Sequence, residues 1–285
     1  MRTENTLRVS PAPNLYRFGA VGFFLLIHLG AFLVFFVPFR WSLVAWLLGS
    51  YLLRMFGVTA GYHRYFSHRS YKLTRVGQFL MAFLAQTSGQ KGALWWAAHH
   101  RDHHRHSDDL EDVHSPWIRT FWWSHVGWVL SNEYDEYNPR RIADFGRFAE
   151  LRWLDRYHWL PIACYGAAIF AVGGFSAFVW GFLLSTVLLY HCTFAINSFA
   201  HIFGNRRFDT PDESRNNWLL ALITLGEGWH NNHHFSMGSC RQGLRWWEID
   251  ITYYALRLLS FAGIARDLRP FRYPPVSRRP TQEAA

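Results

Sequence analysis

Eight histidines fall into three short runs, His63-Arg-Tyr-Phe-Ser-His68, His100-Arg-Asp-His103-His104 and His230-Asn-Asn-His233-His234. A ninth, His201, closes Asn197-Ser-Phe-Ala-His201, where Asn197 and His201 stand four apart and point the same way on a helix. Neutral imidazole is the commonest metal ligand among side chains. The i, i+3, i+4 spacing of the second and third runs places three imidazoles on one helix face, within reach of a common centre. His63 and His68 are five apart, about 140° around an ideal α-helix, so they serve different metals or need a helix end between them. A lone histidine is more often a packed or solvated residue, and His28, His99, His106, His114, His125, His158 and His191 are read that way. Repetition reverses the odds for the clustered ones. Nine imidazoles exceed any single zinc site, which takes three or four protein ligands, so two metals are expected. Nitrogen-only shells suit iron better than magnesium or calcium, which take oxygen.

The cysteines, Cys164, Cys192 and Cys240, lie too far apart for a CxxC pair, a thiolate zinc site, an iron–sulfur cluster or a disulfide framework. The Glu-x-x-His pattern of soluble di-iron bundles is missing, as are haem and flavin fingerprints, so an external reductant is implied.

The elements that must position these residues are membrane helices. The chain has 285 residues, half of them hydrophobic and 19% aromatic, with a net charge of +9, which excludes disordered and collagen-like classes. Residues 18–39 carry no charge and are long enough for a hydrocarbon core of about 30 Å. Residues 41–60 return, with Arg54 expected to lift its guanidinium to the aqueous interface. The uncharged run 159–200 would be roughly 63 Å of helix, twice one crossing, and is read as a hairpin turning near Gly173, Gly174 and Ser176. Residues 76–85 are too short a run to cross. Phe121, Trp122, Trp123 and Trp128 read as an interfacial aromatic belt. By the positive-inside rule both termini and all the histidine runs are cytoplasmic. The expectation is an all-α integral membrane protein: a cytoplasmic N-terminal segment 1–17, one domain over 18–269 with four crossings (18–39, 41–60, 159–176, 177–200) beneath a cytoplasmic helical cap, and a flexible tail 270–285.

At this point the motifs resemble a known family. HRYFSH at 63–68, HHRDHH at 99–104, NSFAH at 197–201 and GEGWHNNHH at 226–234 are similar, in order and placement, to the integral-membrane fatty acid desaturases, most of all the acyl-CoA delta-9 (stearoyl-CoA) type. The resemblance runs from about Phe18 to Pro270. It implies two iron ions held by His63, His68, His100, His103, His104, His201, His230, His233 and His234, with Asn197 joining through a water. It also implies O₂ as co-substrate, a long-chain acyl-CoA or acyl-lipid as substrate, and a ferredoxin, rubredoxin or cytochrome b5 type donor in trans. Gln90, Trp96, Thr193 and Phe194 match the bend of the family's substrate tunnel. Phe194 stands where animal relatives have Trp, and Ala98 where they have an Arg that helps hold coenzyme A, so the bend and the acyl carrier are open. Glu227 is a supporting residue that fixes a ligand histidine; Asp102 and Asp108 are candidates for the same work, Asp108 being read as a solvated partner. The lipid bilayer is a partner and nucleic acid is not.

Rivals remain at this stage. Related membrane di-iron enzymes hydroxylate lipids or form ketones on them. A metal-binding or transport protein would want a polar path through the crossings, which the uncharged run 159–200 does not offer. A zinc hydrolase would want fewer ligands and a nearby general base.

Overall fold

The computed structural model describes residues 16–273, and among them the chain is helical, with isolated bridges but no strand. In chain order the helices are α1 Phe18–Ala31, α2 Trp41–Phe56, α3 Arg75–Gln86, α4 Ala93–His106, the short α5 Trp128–Leu130 and α6 Ala143–Gly146, α7 Ala149–Arg156, α8 Trp159–Ala177, α9 Ser185–Ser198, α10 Trp218–Ile223, α11 His230–Phe235 and α12 Ile251–Phe261. Residues 1–15 and 274–285, with most of the two expected terminal segments, lie outside the described residues. Of the expected tail, Phe271 stacks 5.9 Å from Phe208 and 6.2 Å from Phe235.

Among the described residues three helical stretches are long and apolar enough to cross a membrane: Phe18–Phe36, Trp41–Ser67 and Trp159–His201. The first is α1 with a 3₁₀ extension over Phe32–Phe36, and it leaves Phe18, Phe35 and Phe36 largely exposed, as apolar residues facing lipid should be. The second is α2, carried on by a π-helical segment over Gly57–Ser67. Its 27 residues amount to about 40 Å, some 10 Å more than a hydrocarbon core, and the excess includes the turns that carry His63 and Arg64.

The third stretch folds back on itself. Gly174 adopts φ 70°, ψ −169°, a conformation only glycine takes without strain, and the helix breaks there. A Cβ on Gly166 would lie 3.0 Å from the Phe182 ring, although a straight helix would hold these residues roughly 24 Å apart. α3 is a 12-residue helix outside the candidate spans, started by the Thr74 side chain accepting from Gly77 N and buried along one side by Gln78, Met81, Ala82 and Ala85.

Two expectations are corrected. Arg54 does not reach water: it is fully buried, its guanidinium donating to Thr186 Oγ1 at 2.7 Å and Ser185 Oγ at 2.6 Å and lying over the Tyr165 ring at 5.0 Å. Its neighbours in the hairpin offer hydroxyls and ring faces, which satisfy a cation locally and remove the need to snorkel. Likewise only Trp122 of the aromatic run points outward. Trp123 and Trp128 pack with Trp95 and Val113, because the indole N–H of Trp123 finds the Val113 carbonyl at 3.2 Å and the two rings of Trp95 and Trp128 stack at 5.5 Å.

Because Arg54 has hydroxyl partners and no carboxylate among its hydrogen bonds, Arg54→Met should leave the melting temperature in detergent unchanged or slightly raised. Arg54→Ala should lower stability by about 2–5 kcal/mol through the cavity it leaves. Loss of folded protein in the Met variant, read by fluorescence-detected size exclusion, would show that the charge itself is needed.

Candidate metal centre

Four elements deliver the nine clustered histidines to one place. The π-helical end of the second span brings His63, and His68 follows as its cap. α4 brings His100, His103 and His104; a 3₁₀ turn at the end of the third span brings His201; α11 brings His230, His233 and His234. The start of α4 is fixed by Asp155 of α7, whose carboxylate accepts from Leu94 N at 2.8 Å and Trp95 N at 3.1 Å. α11 sits close under α10 because Gly228 has no side chain: a Cβ there would run into the backbone nitrogen of Ala221.

The imidazoles sort into two groups whose ligand atoms converge within 4.8 Å: His63, His68, His100, His104 and His233 in one, His103, His201, His230 and His234 in the other. Neither HxxHH run serves a single centre, as its spacing had suggested. On an ideal helix the i+3 residue lies about 60° to one side of residue i and the i+4 residue about 40° to the other, so the run straddles two centres. α4 gives His100 and His104 to the first group and His103 to the second; α11 gives His230 and His234 to the second and His233 to the first. The His63–His68 pair is the other surprise. His68 N donates to His63 O at 3.2 Å, an i→i+5 bond, and this wider turn brings the rings to 4.8 Å and into the same group.

The ring nitrogens are arranged for a cation. Nε2 atoms face each other at 2.9 Å for His63–His233, His68–His100 and His104–His233, and at 3.0 Å for His100–His104 and His201–His230. Adjacent ligands on one metal at the usual metal–nitrogen distance stand roughly 3 Å apart. Carboxylates hold the opposite nitrogens: His103 Nδ1 is 2.9 Å from Asp112 Oδ1, His201 Nδ1 2.9 Å from Asp108 Oδ2, His234 Nδ1 2.8 Å from Asp212 Oδ2, and His63 Nδ1 pairs with Glu227. An ionised carboxylate only accepts, so each of these Nδ1 atoms carries the proton and each Nε2 presents a lone pair inward. The Nε2 atoms of His103 and His234 are buried without a hydrogen-bond partner. The unpartnered Nε2 atoms of His103 and His234 fit a metal ion, and the convergent imidazoles fit one that accepts all-nitrogen shells.

The electrostatics agree. Burial, and then the neighbouring imidazoles, push His68, His100, His104, His230 and His233 well below the usual histidine value, so the neutral form needed for ligation is favoured. For His103 burial pulls the same way, but Asp112 outweighs it and raises the value. The carboxyls stay ionised despite burial: hydrogen bonds and charge from their histidines bring Asp108 to about 2, and His63 and Arg64 bring Glu227 to about 2. Arg64 is buried and fixes Glu227 at 3.0 Å and Asp250 at 2.9 Å.

Asp108 is therefore a partner of His201, and the solvated role expected of it is corrected: the loop after α4 folds inward and buries it. Asp102 pairs with Arg141 instead of a histidine. Asp112 and Asp212 had no sequence signal, since they lie 9 and 22 residues from the histidines they hold. His114, read as ordinary, is buried beside Asp112 with its ring 4.1 Å from that of His103. His28, His191 and His125 form a hydrogen-bonded row, at 3.0 Å per step, outside both groups. His99 packs on Trp95 and joins neither group.

Gln90, Trp96, Thr193 and Phe194 meet in one wall. Gln90 Nε2 donates to Thr193 Oγ1 at 3.2 Å, Trp96 Nε1 donates to Gln90 Oε1 at 3.4 Å, and the Trp96 ring stacks on His100 at 4.8 Å. With His100, His114 and Asn197 this wall bounds a cavity of about 20 Å³, enough for roughly one water. Asn197 and His100 both line this cavity.

Comparison with known proteins places this geometry. The sequence model of the fatty acid desaturase family matches residues 40–262. The chain is 36% identical over 256 residues to an sn-1 stearoyl-lipid 9-desaturase of Anabaena variabilis, covering 87% of this chain and 92% of that one. It is 37% identical over 238 residues to an acyl-CoA 5-desaturase of Anemone leveillei, covering 81% and 74%. It is 35% identical over 256 residues to a palmitoyl-monogalactosyldiacylglycerol delta-7 desaturase of Arabidopsis thaliana, covering 88% and 68%.

Asp112→Asn keeps the shape at His103 and removes the charge, and should weaken metal binding about 10–100-fold with the fold intact, read by metal content against chelator concentration. The depressed histidines also set a pH dependence for the metal-free protein. Their folded values lie below the unfolded value near 6.5, so the unfolded chain binds more protons as pH falls, and stability is full above about pH 6.5 and lost below it. The melting temperature of chelated protein should fall steadily from pH 7.5 to 5.5; a flat profile would contradict the buried neutral state.

Proposed function

We propose, from the premise that this chain belongs to the fatty acid desaturase family, that it is an O₂-dependent di-iron acyl desaturase that places a cis double bond at carbon 9 of a long saturated chain. The observation that carries this reading is the pair of all-imidazole groups, five and four strong, sharing α4 and α11. His63, His68, His100, His104 and His233 would hold the first iron and His103, His201, His230 and His234 the second, with Asn197 completing one shell through a water. Two bound irons supply the one-electron chemistry that lets O₂ take hydrogen from an unactivated methylene.

The chain's own residues hold, orient and exclude. A methylene offers no acidic proton and no carbonyl for a side chain to act upon, so placement decides the product. Gln90, Thr193, Trp96 and Phe194 form the wall that fixes which two carbons face the metals. Asp108, Asp112, Asp212 and Glu227 keep Nδ1–H on their histidines, so that Nε2 stays free to ligate. The overall balance is one O₂, two electrons and two protons consumed, with one cis double bond and two waters formed. The electrons come from an external ferredoxin, rubredoxin or cytochrome b5 type donor, and the net charge of +9 favours an acidic one. The long second span and the hairpin support four crossings, and the distribution of Lys and Arg along the sequence supports a metal centre and termini on the cytoplasmic side. Position 9 rests on the high coverage of the stearoyl-lipid relative; other relatives carry names with position 5 or 7.

Expression beside His104→Ala in a host without its own oxygen-dependent desaturase should yield a new cis-monounsaturated acid, absent in the variant and located by double-bond-specific derivatives in mass spectrometry. The purified protein should hold about two irons per chain. Hydroxy acids in place of alkenes would establish a hydroxylase, and zinc in place of iron would overturn the reading.

A further inference from the structure

A second, larger cavity of about 730 Å³ reaches the same wall from the membrane side. Gln90, Val129 and Phe194 line both it and the small cavity beside His100, so the two meet around these side chains. Its outer walls are Gly19, Ala20 and Phe23 of α1 and Trp159, Ala163 and Ala167 of α8, with Phe178 and Phe182 behind. Gly19, Phe23, Trp159, Ala163 and Ala167 are at the same time exposed on the outer surface of candidate membrane spans. A residue that lines a cavity and is exposed outward marks an opening. This one runs along α8 from Trp159 to Ala167, about 12 Å, and faces where lipid would be.

The charge at the polar end narrows the choice of substrate. Arg17, Lys91 and His158 line it. Arg17 and Lys91 both pair with the single carboxylate of Asp135, Lys91 at 3.4 Å, and the Lys91 ammonium also lies 4.1 Å over the Trp95 ring. Burial keeps His158 below the ordinary histidine value. Two cations against one anion leave a single net positive charge. That matches one lipid phosphate or a polar ester head, and is poor provision for the several phosphates of coenzyme A.

We infer that the acyl chain belongs to a membrane glycerolipid and enters sideways from the bilayer between α1 and α8, its head group staying at Arg17 and Lys91. The inference rests on the desaturase reading and names the substrate class for it. An acyl chain sliding from lipid into an apolar cavity loses little solvation, whereas an acyl-CoA would approach from water.

The test uses the full-length protein in phosphatidylglycerol vesicles and two photoreactive probes that carry the same diazirine-bearing stearoyl chain, one on phosphatidylglycerol and one on coenzyme A. The lipid probe should label Val129 and Tyr190, and labelling should fall about tenfold in Ala163→Trp, which fills the opening, but not in Ala168→Trp on the same exposed helix outside the cavity. Ala167→Trp provides a second plug if the first variant folds poorly. Labelling of the same residues by the acyl-CoA probe with no effect of the plugs, or lipid labels confined to the outer faces of α1 and α8, would overturn lateral entry. New double bonds in expressing cells alongside that result would leave the desaturase reading standing. Cavity labelling by lipid with no new double bond in any lipid pool would instead refute the desaturase reading and leave the lipid site.

Discussion

Buried lone pairs that face one another are the constraint on which this structure depends. Five and four imidazoles converge with their ring nitrogens about 3 Å apart, an arrangement in which one bound cation would satisfy every ring of a group at once. The surrounding acidic residues set the tautomer of four of the rings: with Asp108, Asp112, Asp212 and Glu227 accepting at Nδ1, the neutral forms of His201, His103, His234 and His63 present Nε2 as the ligating atom. Much of the polar organisation around the two groups follows. Arg64 is buried to fix Glu227 and Asp250, and Asp250 in turn starts α12 by accepting from Tyr253 N at 3.0 Å.

Helix length translates this demand into architecture. A span that stopped at the membrane surface would leave His63 and His68 without partners, and the extra turns of the second span carry them to α4 and α11. Widening those turns to an i→i+5 pattern rotates the two rings together, at the cost of a rarer helix type that is concentrated at functional sites. The hairpin after Gly174 returns the third span to the same end of the bundle, where His201 completes the second group.

The two cavities give the centre its relation to the membrane. One is water-sized and touches a ligand histidine; the other is large, apolar along most of its walls and open toward the lipid-facing surface. Gln90, Val129 and Phe194 stand where they meet. For the acyl chain proposed above, which has no polar handle, positioning depends on such walls.

The sequence by itself determined the helical class, the apolar stretches, the break at Gly174 and the nine clustered histidines, because hydrophobic run length, glycine conformational freedom and residue spacing are local properties. Which histidine serves which centre was not legible. Spacing placed each HxxHH run on one face, while the opposite rotations of the i+3 and i+4 positions hand its members to two centres once a second helix faces the first. The π-helical turn at His63, the inward fold of Asp108, the remote carboxylates Asp112 and Asp212, and the burial of Arg54 among hydroxyls all depend on partners from distant parts of the chain. Only tertiary structure decides such pairings, since a buried polar group is satisfied by whatever neighbour packing supplies and not by its neighbours in sequence.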